Sequence, residues 1–301
     1  MKKIFIIVAA MICGLVSCEK VDVSDLVGDD IAAESGDNSG DGVKTKKFTF
    51  TMKGDFSDQW KAVTRGYLSA DGKDLTDVWV LDYMNGELVQ QIHQADNTAE
   101  DFGKPVMQLA YGEHHVYFVA SRGTGATLDT DAGTIIFARV LDTFYKDYEV
   151  NVASTSNGNR AVTLDRVATK LRLTFTDFLP ADAAVVKVSP HTWYYGLNYK
   201  TGIPCGAQTD PVTSIAIPEA QRGKTGVQVS LFGFSPSAEW TTDITISSEK
   251  EDHTVLGSAT LSAAPFKANR MSDYSGPLFG SGGTMTLSLN SDWDTYYEGT
   301  W

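Results

Sequence analysis

The chain runs to 301 residues with 25 basic and 38 acidic side chains, a formal net charge of −13. A surface this acidic repels phosphate backbones and argues against nucleic acid as a partner. Hydrophobic residues make up 42% of the sequence, enough for a sizeable core; Gly, Thr, Ser, Val and aromatic residues are plentiful and long helical patterns are absent, which favours an all-β fold.

Residues 1–17 carry a basic start (Lys2, Lys3), an apolar run from Ile4 through Ile12, and small residues near the end. That is the three-part layout of a secretory signal. Leu15-Val16-Ser17-Cys18 resembles a bacterial lipobox, in which the cysteine thiol is acylated before the signal is cut, so Cys18 is the expected lipidation site and first mature residue. Cleavage elsewhere and a short membrane helix are the alternatives. Against the helix, the apolar run is shorter than the ~20 residues that cross a bilayer, and Glu19, Lys20 and Asp22 follow it. No second run of spanning length occurs, so the expected membrane contact is the lipid, with more than one acyl chain for durable anchoring. Losing Lys2 and Lys3 with the signal takes the net charge from −13 to −15. Cys13 leaves too and Cys18 carries lipid, so Cys205 stands alone and no intramolecular disulfide is expected. A lone cysteine without a motif reads as a small core residue.

Residues 18–45 are rich in Asp, Gly and Ser with little to bury, and read as an acidic flexible tether. Asp37-Asn38-Ser39-Gly40-Asp41-Gly42 hints at a calcium loop, but the twelfth position from Asp37 is Phe48 instead of the bidentate Glu that an EF-hand needs. Order is expected from residue 46. Phe48, Phe50 and Met52 alternate with Thr49 and Thr51, the period-two pattern of a half-buried strand. An apolar strand over 77–83, Asn85-Gly86 and a second strand over 87–92 predict a hairpin. Further strands are expected over 105–109, 115–120, 134–138 and 147–152, with a loop at 121–125 and a short helix at 140–146. A first β-sandwich domain then covers 46–159 and a second 160–301. In the second, Leu171, Leu173 and Phe175 alternate much as Phe48, Phe50 and Met52 do, which suggests a duplicated unit. Strands are expected over 184–188, 192–197, 212–217, 226–234, 242–247, 255–261 and 285–289, punctuated by Pro and Gly.

No catalytic constellation emerges, and no cofactor is expected. His114 and His115 are neighbours, so on a strand they point to opposite faces and cannot chelate one ion together; His93, His191 and His253 lack a ligand spacing, so no metal site is expected. Gly233-Phe234-Ser235-Pro236-Ser237 lacks the final Gly of a nucleophile elbow. The Gly-rich stretches at 123–125 and 280–283 have no following Lys-Ser/Thr. Asp129 and Asp131 read as a solvated pair. Trp193, Tyr194 and Tyr199 form an aromatic cluster that suits stacking on a sugar or peptide; the same strand read as core buries Trp193 and Tyr195 and exposes Tyr194.

Several segments in order carry a resemblance: the lipobox at Cys18, DVWVLDYMNGELVQQ at 77–91, YGEHHVYFVASRG at 111–123, LDRVATKLRLTF at 164–175 and FKANRMSDYSGPLFG at 266–280. Together they resemble the fimbrillin-like superfamily of Bacteroidota fimbriae, in particular its FimB-type anchor and accessory subunits. The resemblance implies an all-β chain of two tandem transthyretin-like antiparallel β-sandwich domains after signal and tether. It further implies a non-catalytic outer-membrane lipoprotein, surface-exposed or periplasm-facing, that joins neighbouring fimbrial subunits by donor-strand exchange and supports adhesion to a host protein or glycan. In stalk and tip subunits of the family an arginine-specific protease removes the first strand. The matching position here is Arg65 in Val63-Thr64-Arg65-Gly66, and a cut there removes Phe48, Phe50 and Met52 together with the lipid; anchor subunits keep both. Arg65 read as a solvated loop residue stands equally well. The other function consistent with the sequence is a surface glycan-binding lipoprotein using Trp193, Tyr194 and Tyr199.

Overall fold

The computed structural model describes residues 43–53, 75–238, 240–279 and 285–290. The chain divides into two units, Met1–Lys44, of which only Val43 and Lys44 are among these residues, and Thr45–Trp301, which holds all the strands described here. The chain is all-β.

The first half supplies β1 (Thr45–Lys53), β2 (Asp77–Met84), β3 (Glu87–Gln94), β4 (Val106–Ala110), β5 (Gly112–Ser121), β6 (Thr124–Asp129), β7 (Thr134–Arg139), β8 (Thr143–Val152), β9 (Asn159–Thr163) and β10 (Asp165–Arg166). The predicted hairpin forms at β2–β3: Asn85 and Gly86 both take positive φ, 54° and 83°, as a type I′ turn requires. Residues 140–146, expected as a short helix, instead lead into and open β8, and Thr124 and Gly125, expected as the end of a loop, open β6. The second half supplies β11 (Ala168–Phe175), β12 (Val185–Pro190), β13 (Thr192–Asn198), β14 (Ile203–Thr209), β15 (Thr213–Ala216), β16 (Val227–Phe234), β17 (Trp240–Glu249), β18 (Val255–Phe266), β19 (Met271–Gly276) and β20 (Thr286–Asn290).

Four sheets result, in the orders β4-β1-β9, β10-β8-β5-β2-β3, β20-β19-β11-β16-β13-β7-β6 with β14 also on β13, and β15-β12-β17-β18. Pairing is antiparallel except at β1–β9 and β11–β19. The two strands with similar sequence alternation therefore have similar surroundings: β1 lies between antiparallel β4 and parallel β9, and β11 between antiparallel β16 and parallel β19.

The five-stranded sheet is covered on both faces, which explains the unbroken apolar run of β2. Val78, Val80, Val116, Phe118 and Phe144 join Phe48, Phe50, Met52, Met107 and Leu109 in one core. Trp79, Leu81, Tyr83, Tyr117 and Val119, from the opposite face, join the larger core of the second half with Phe137, Leu173, Trp193 and Phe234. Strand pairing crosses the position expected as a domain boundary, between residues 159 and 160. The β6–β7 hairpin, from before it, pairs with β13, while β9, which spans it, and β10, which follows it, pair with β1 and β8. The approach of β7 to β13 depends on Gly196, where a Cβ would meet Ile136 Cδ1 at 2.2 Å and the Ile135 carbonyl at 2.9 Å.

Candidate functional site

Alternation places Phe48, Phe50 and Met52 on the inward face of β1, where their exposures are 0%, 0% and 4%. Phe50 meets Phe118 edge-on at 5.2 Å between centroids and Tyr148 at 6.0 Å, and the Arg160 guanidinium lies 5.6 Å from the Phe48 ring centre. Full burial of these three side chains contributes roughly 1.5–3 kcal/mol each. The backbone is held on both flanks. Thr45 to Thr49 lie opposite Ala110 to Val106 of β4, and Thr49 to Lys53 opposite Asn159 to Thr163 of β9. Beyond β4, the Phe50 and Met52 amides donate to the Pro105 and Gly103 carbonyls at 3.0 and 3.3 Å. Gly158 admits the close crossing at Lys47, whose carbonyl oxygen would lie 2.3 Å from an added Cβ. β1 is thus a central strand with an apolar face, and its removal leaves a slot with main-chain donors and acceptors on both rims.

Cys18 and Arg65 lie outside the described residues, as does the segment 37–42. The aromatic cluster is overturned as a ligand surface at two of its three positions. Trp193 and Tyr199 are 0% exposed. The Trp193 indole donates to the Phe232 carbonyl at 2.9 Å and packs edge-on against Phe266, and the Tyr199 hydroxyl meets that of Tyr83 at 2.8 Å. Burial, then the Tyr83 hydrogen bond, push the Tyr199 phenol well above its ordinary pKa. Only Tyr194 is half-buried, with its ring edge against Trp240. Both faces of β13 are covered, so alternation could not tell an outward ring from an inward one.

Several residues that sequence left unassigned take structural roles. Asp129 accepts the Ala132 amide within a turn, and Ser235 donates to the Ser237 and Phe266 carbonyls. Cys205 is half-buried and its thiol is pushed up by burial, which disfavours the thiolate. His114 and His115 do face opposite ways. His114 is buried against Asp82, with Nδ1 2.7 Å from Asp82 Oδ1 and Nε2 2.9 Å from the Ala110 carbonyl. Both neighbours are acceptors, so the ring carries two protons. Burial opposes that charge, but Asp82 and the carbonyl outweigh it and raise the pKa. Asp142, also buried, accepts from Arg166 Nε at 2.8 Å with Arg122 Nη1 at 3.8 Å. These pairs join positions 20 to 32 residues apart, so no local spacing signals them.

Among the described residues the chain is all-β, no catalytic constellation is assembled, and β1 is a central strand paired on both flanks. No family model matches the chain, and no curated protein matches it by sequence. Among solved structures it is similar to a candidate adhesin from Bacteroides ovatus, with 10% identity over 84% of this chain and 95% of that one and a TM-score of 0.48. It is also similar to a fimbrial assembly protein from Parabacteroides distasonis, at 11% identity over 82% and 99% with a TM-score of 0.46, and to the tip fimbrial protein Mfa3 of Porphyromonas gingivalis, at 12% over 81% and 99% with 0.43.

Proposed function

We propose that the chain is a non-catalytic fimbrial subunit of the anchor or accessory kind. In this reading it is lipidated at Cys18, held at the outer membrane facing the surface, and joined to other fimbrial subunits by donor-strand β-augmentation in support of adhesion. The observation that carries the reading is β1. Its apolar face is buried and both its flanks are paired, so a chain that loses β1 offers a neighbour's strand main-chain hydrogen bonds on two rims and pockets for alternate side chains, whereas an anchor that keeps β1 holds that groove filled and joins its neighbour as the strand donor or at another edge. Arg65 lies in sequence between β1 and β2, so cleavage after it frees β1 from the rest of the fold.

Intact mass and N-terminal analysis of the protein from its native envelope test the anchoring. An acylated Cys18 on an otherwise complete chain identifies an anchor that keeps β1, and a lipid-free chain starting at Gly66 identifies a stalk or tip subunit. Strand addition is tested separately with a chain beginning at Gly66 and a synthetic peptide of Thr45–Lys53. The peptide should bind the truncated chain and leave the full chain alone; a truncated chain that folds, stays monomeric and ignores the peptide refutes the mechanism.

A further inference from the structure

Three exposed histidines each meet an aspartate: His93 with Asp77 at 2.8 Å, His191 with Asp210 at 3.0 Å, and His115 with Asp147 at 3.2 Å. Such pairs are ordinary surface features and contribute little on their own. The third pair differs in having another donor. Glu149 lies directly opposite His115 in the β5–β8 register, and Asp147 sits two residues along β8 on the same face. One ligand atom from each of the three lies within 4.8 Å of the other two, and among the described residues this is the group of three or more His, Cys, Asp or Glu side chains so disposed.

The backbone beneath is held by the β5–β8 pairing, which runs from Gly112↔Val152 to Ser121↔Thr143, and by β2 on the other flank of β5. The side chains are accessible, with His115 48% and Asp147 35% exposed, so an ion can enter and an outer coordination position stays open. Tetrahedral zinc with ligands at about 2.0–2.2 Å sets its donor atoms roughly 3.3–3.6 Å apart. His115 and Asp147 already stand near that separation at 3.2 Å, and a rotamer change of Glu149 would close the other two edges, which now lie within 4.8 Å. An imidazole with two carboxylates suits a first-row divalent ion better than calcium or magnesium, which take all-oxygen sets.

We propose that His115, Asp147 and Glu149 form a surface site for a divalent transition-metal ion, with zinc as the representative, held by three protein ligands and completed by water. The test is zinc titration of the untagged mature chain by calorimetry, with Co2+ substitution to read coordination from its visible absorbance. One ion per chain is expected. His115→Ala and the pair Asp147→Asn with Glu149→Gln should each weaken binding by at least the about 10- to 100-fold that loss of an outer-shell partner costs. His191→Ala, which removes a His–Asp pair lacking a third donor, should leave it unchanged. Circular dichroism of each variant checks that the fold is retained, as expected for half-exposed positions. Absence of a one-to-one site, persistence of binding in the His115 and double carboxylate variants, or equal loss on His191→Ala overturns the assignment.

Discussion

The Asp82–His114 pair is the sharpest test of how the first core is held together. The two side chains are 1% and 0% exposed, and the His114 ring donates from both nitrogens, to Asp82 Oδ1 and to the Ala110 carbonyl at the end of β4. His114→Leu removes a charge-assisted hydrogen bond worth about 1.5–3 kcal/mol and strands a carboxylate whose second oxygen already has no hydrogen-bond partner. Breaking one side of a buried pair costs about 3–5 kcal/mol. In a folded unit of this size each kcal/mol moves the melting temperature by about 2–4 °C, so the expected drop is roughly 6–20 °C. Asp82→Asn should cost less, because its amide oxygen still accepts from His114. The double variant Asp82→Leu with His114→Leu should recover much of the loss, since two apolar side chains of similar volume replace both ends of the pair. Urea unfolding of the wild type, Asp82→Leu, His114→Leu and the double variant gives the coupling energy. A loss under about 1 kcal/mol for His114→Leu, or a double variant as unstable as the sum of the singles, would refute the argument.

Three further outcomes follow from the same geometry. Phe50→Ala, at a fully buried ring in contact with Phe118 and Tyr148, should destabilise by about 3–5 kcal/mol in denaturant unfolding and speed proteolysis of β1. Asp142→Ala removes the carboxylate that Arg166 and Arg122 approach from two parts of the chain, and about 3–5 kcal/mol should be lost in thermal unfolding. Gly196→Ala drives a methyl against Ile136 and the Ile135 carbonyl, so about 1–3 kcal/mol is expected in urea titration, with faster amide exchange in β7.

What could be seen in the sequence was whatever a strand declares by itself. β1 and β11 show clean alternation because one face of each is core, and Asn85-Gly86 marks its turn because few residue pairs accept positive φ twice. β14 was missed. Its IPCGAQT sequence carries Pro204 and Gly206 and is mostly exposed, so its existence depends on main-chain pairing with β13 more than on any apolar pattern. β19, with Asp273 and two serines, was missed for a similar reason: it gains its place from β11 and β20 on either side. Residues 140–146 read as helical because Asp142 and Thr143 break the alternation, and they do so because both are buried as hydrogen-bonding groups. The cluster at His115 was beyond reach of spacing rules, since its partners lie on a strand more than thirty residues away.

The position of β1 also bears on force. If the chain is tethered through its N-terminus, a pull enters the fold at Thr45 and runs along the strand. There it meets the β4 flank over Thr45 to Thr49 and the β9 flank over Thr49 to Lys53. Loaded lengthwise, those bonds are strained together and must fail in near concert, whereas a strand at a sheet's rim pulled sideways gives way one bond at a time. Resistance to such a pull is set by the height of the unfolding barrier more than by equilibrium stability. In the function proposed above, the strand whose removal would open the groove is thus the one that would make an intact chain a strong mooring.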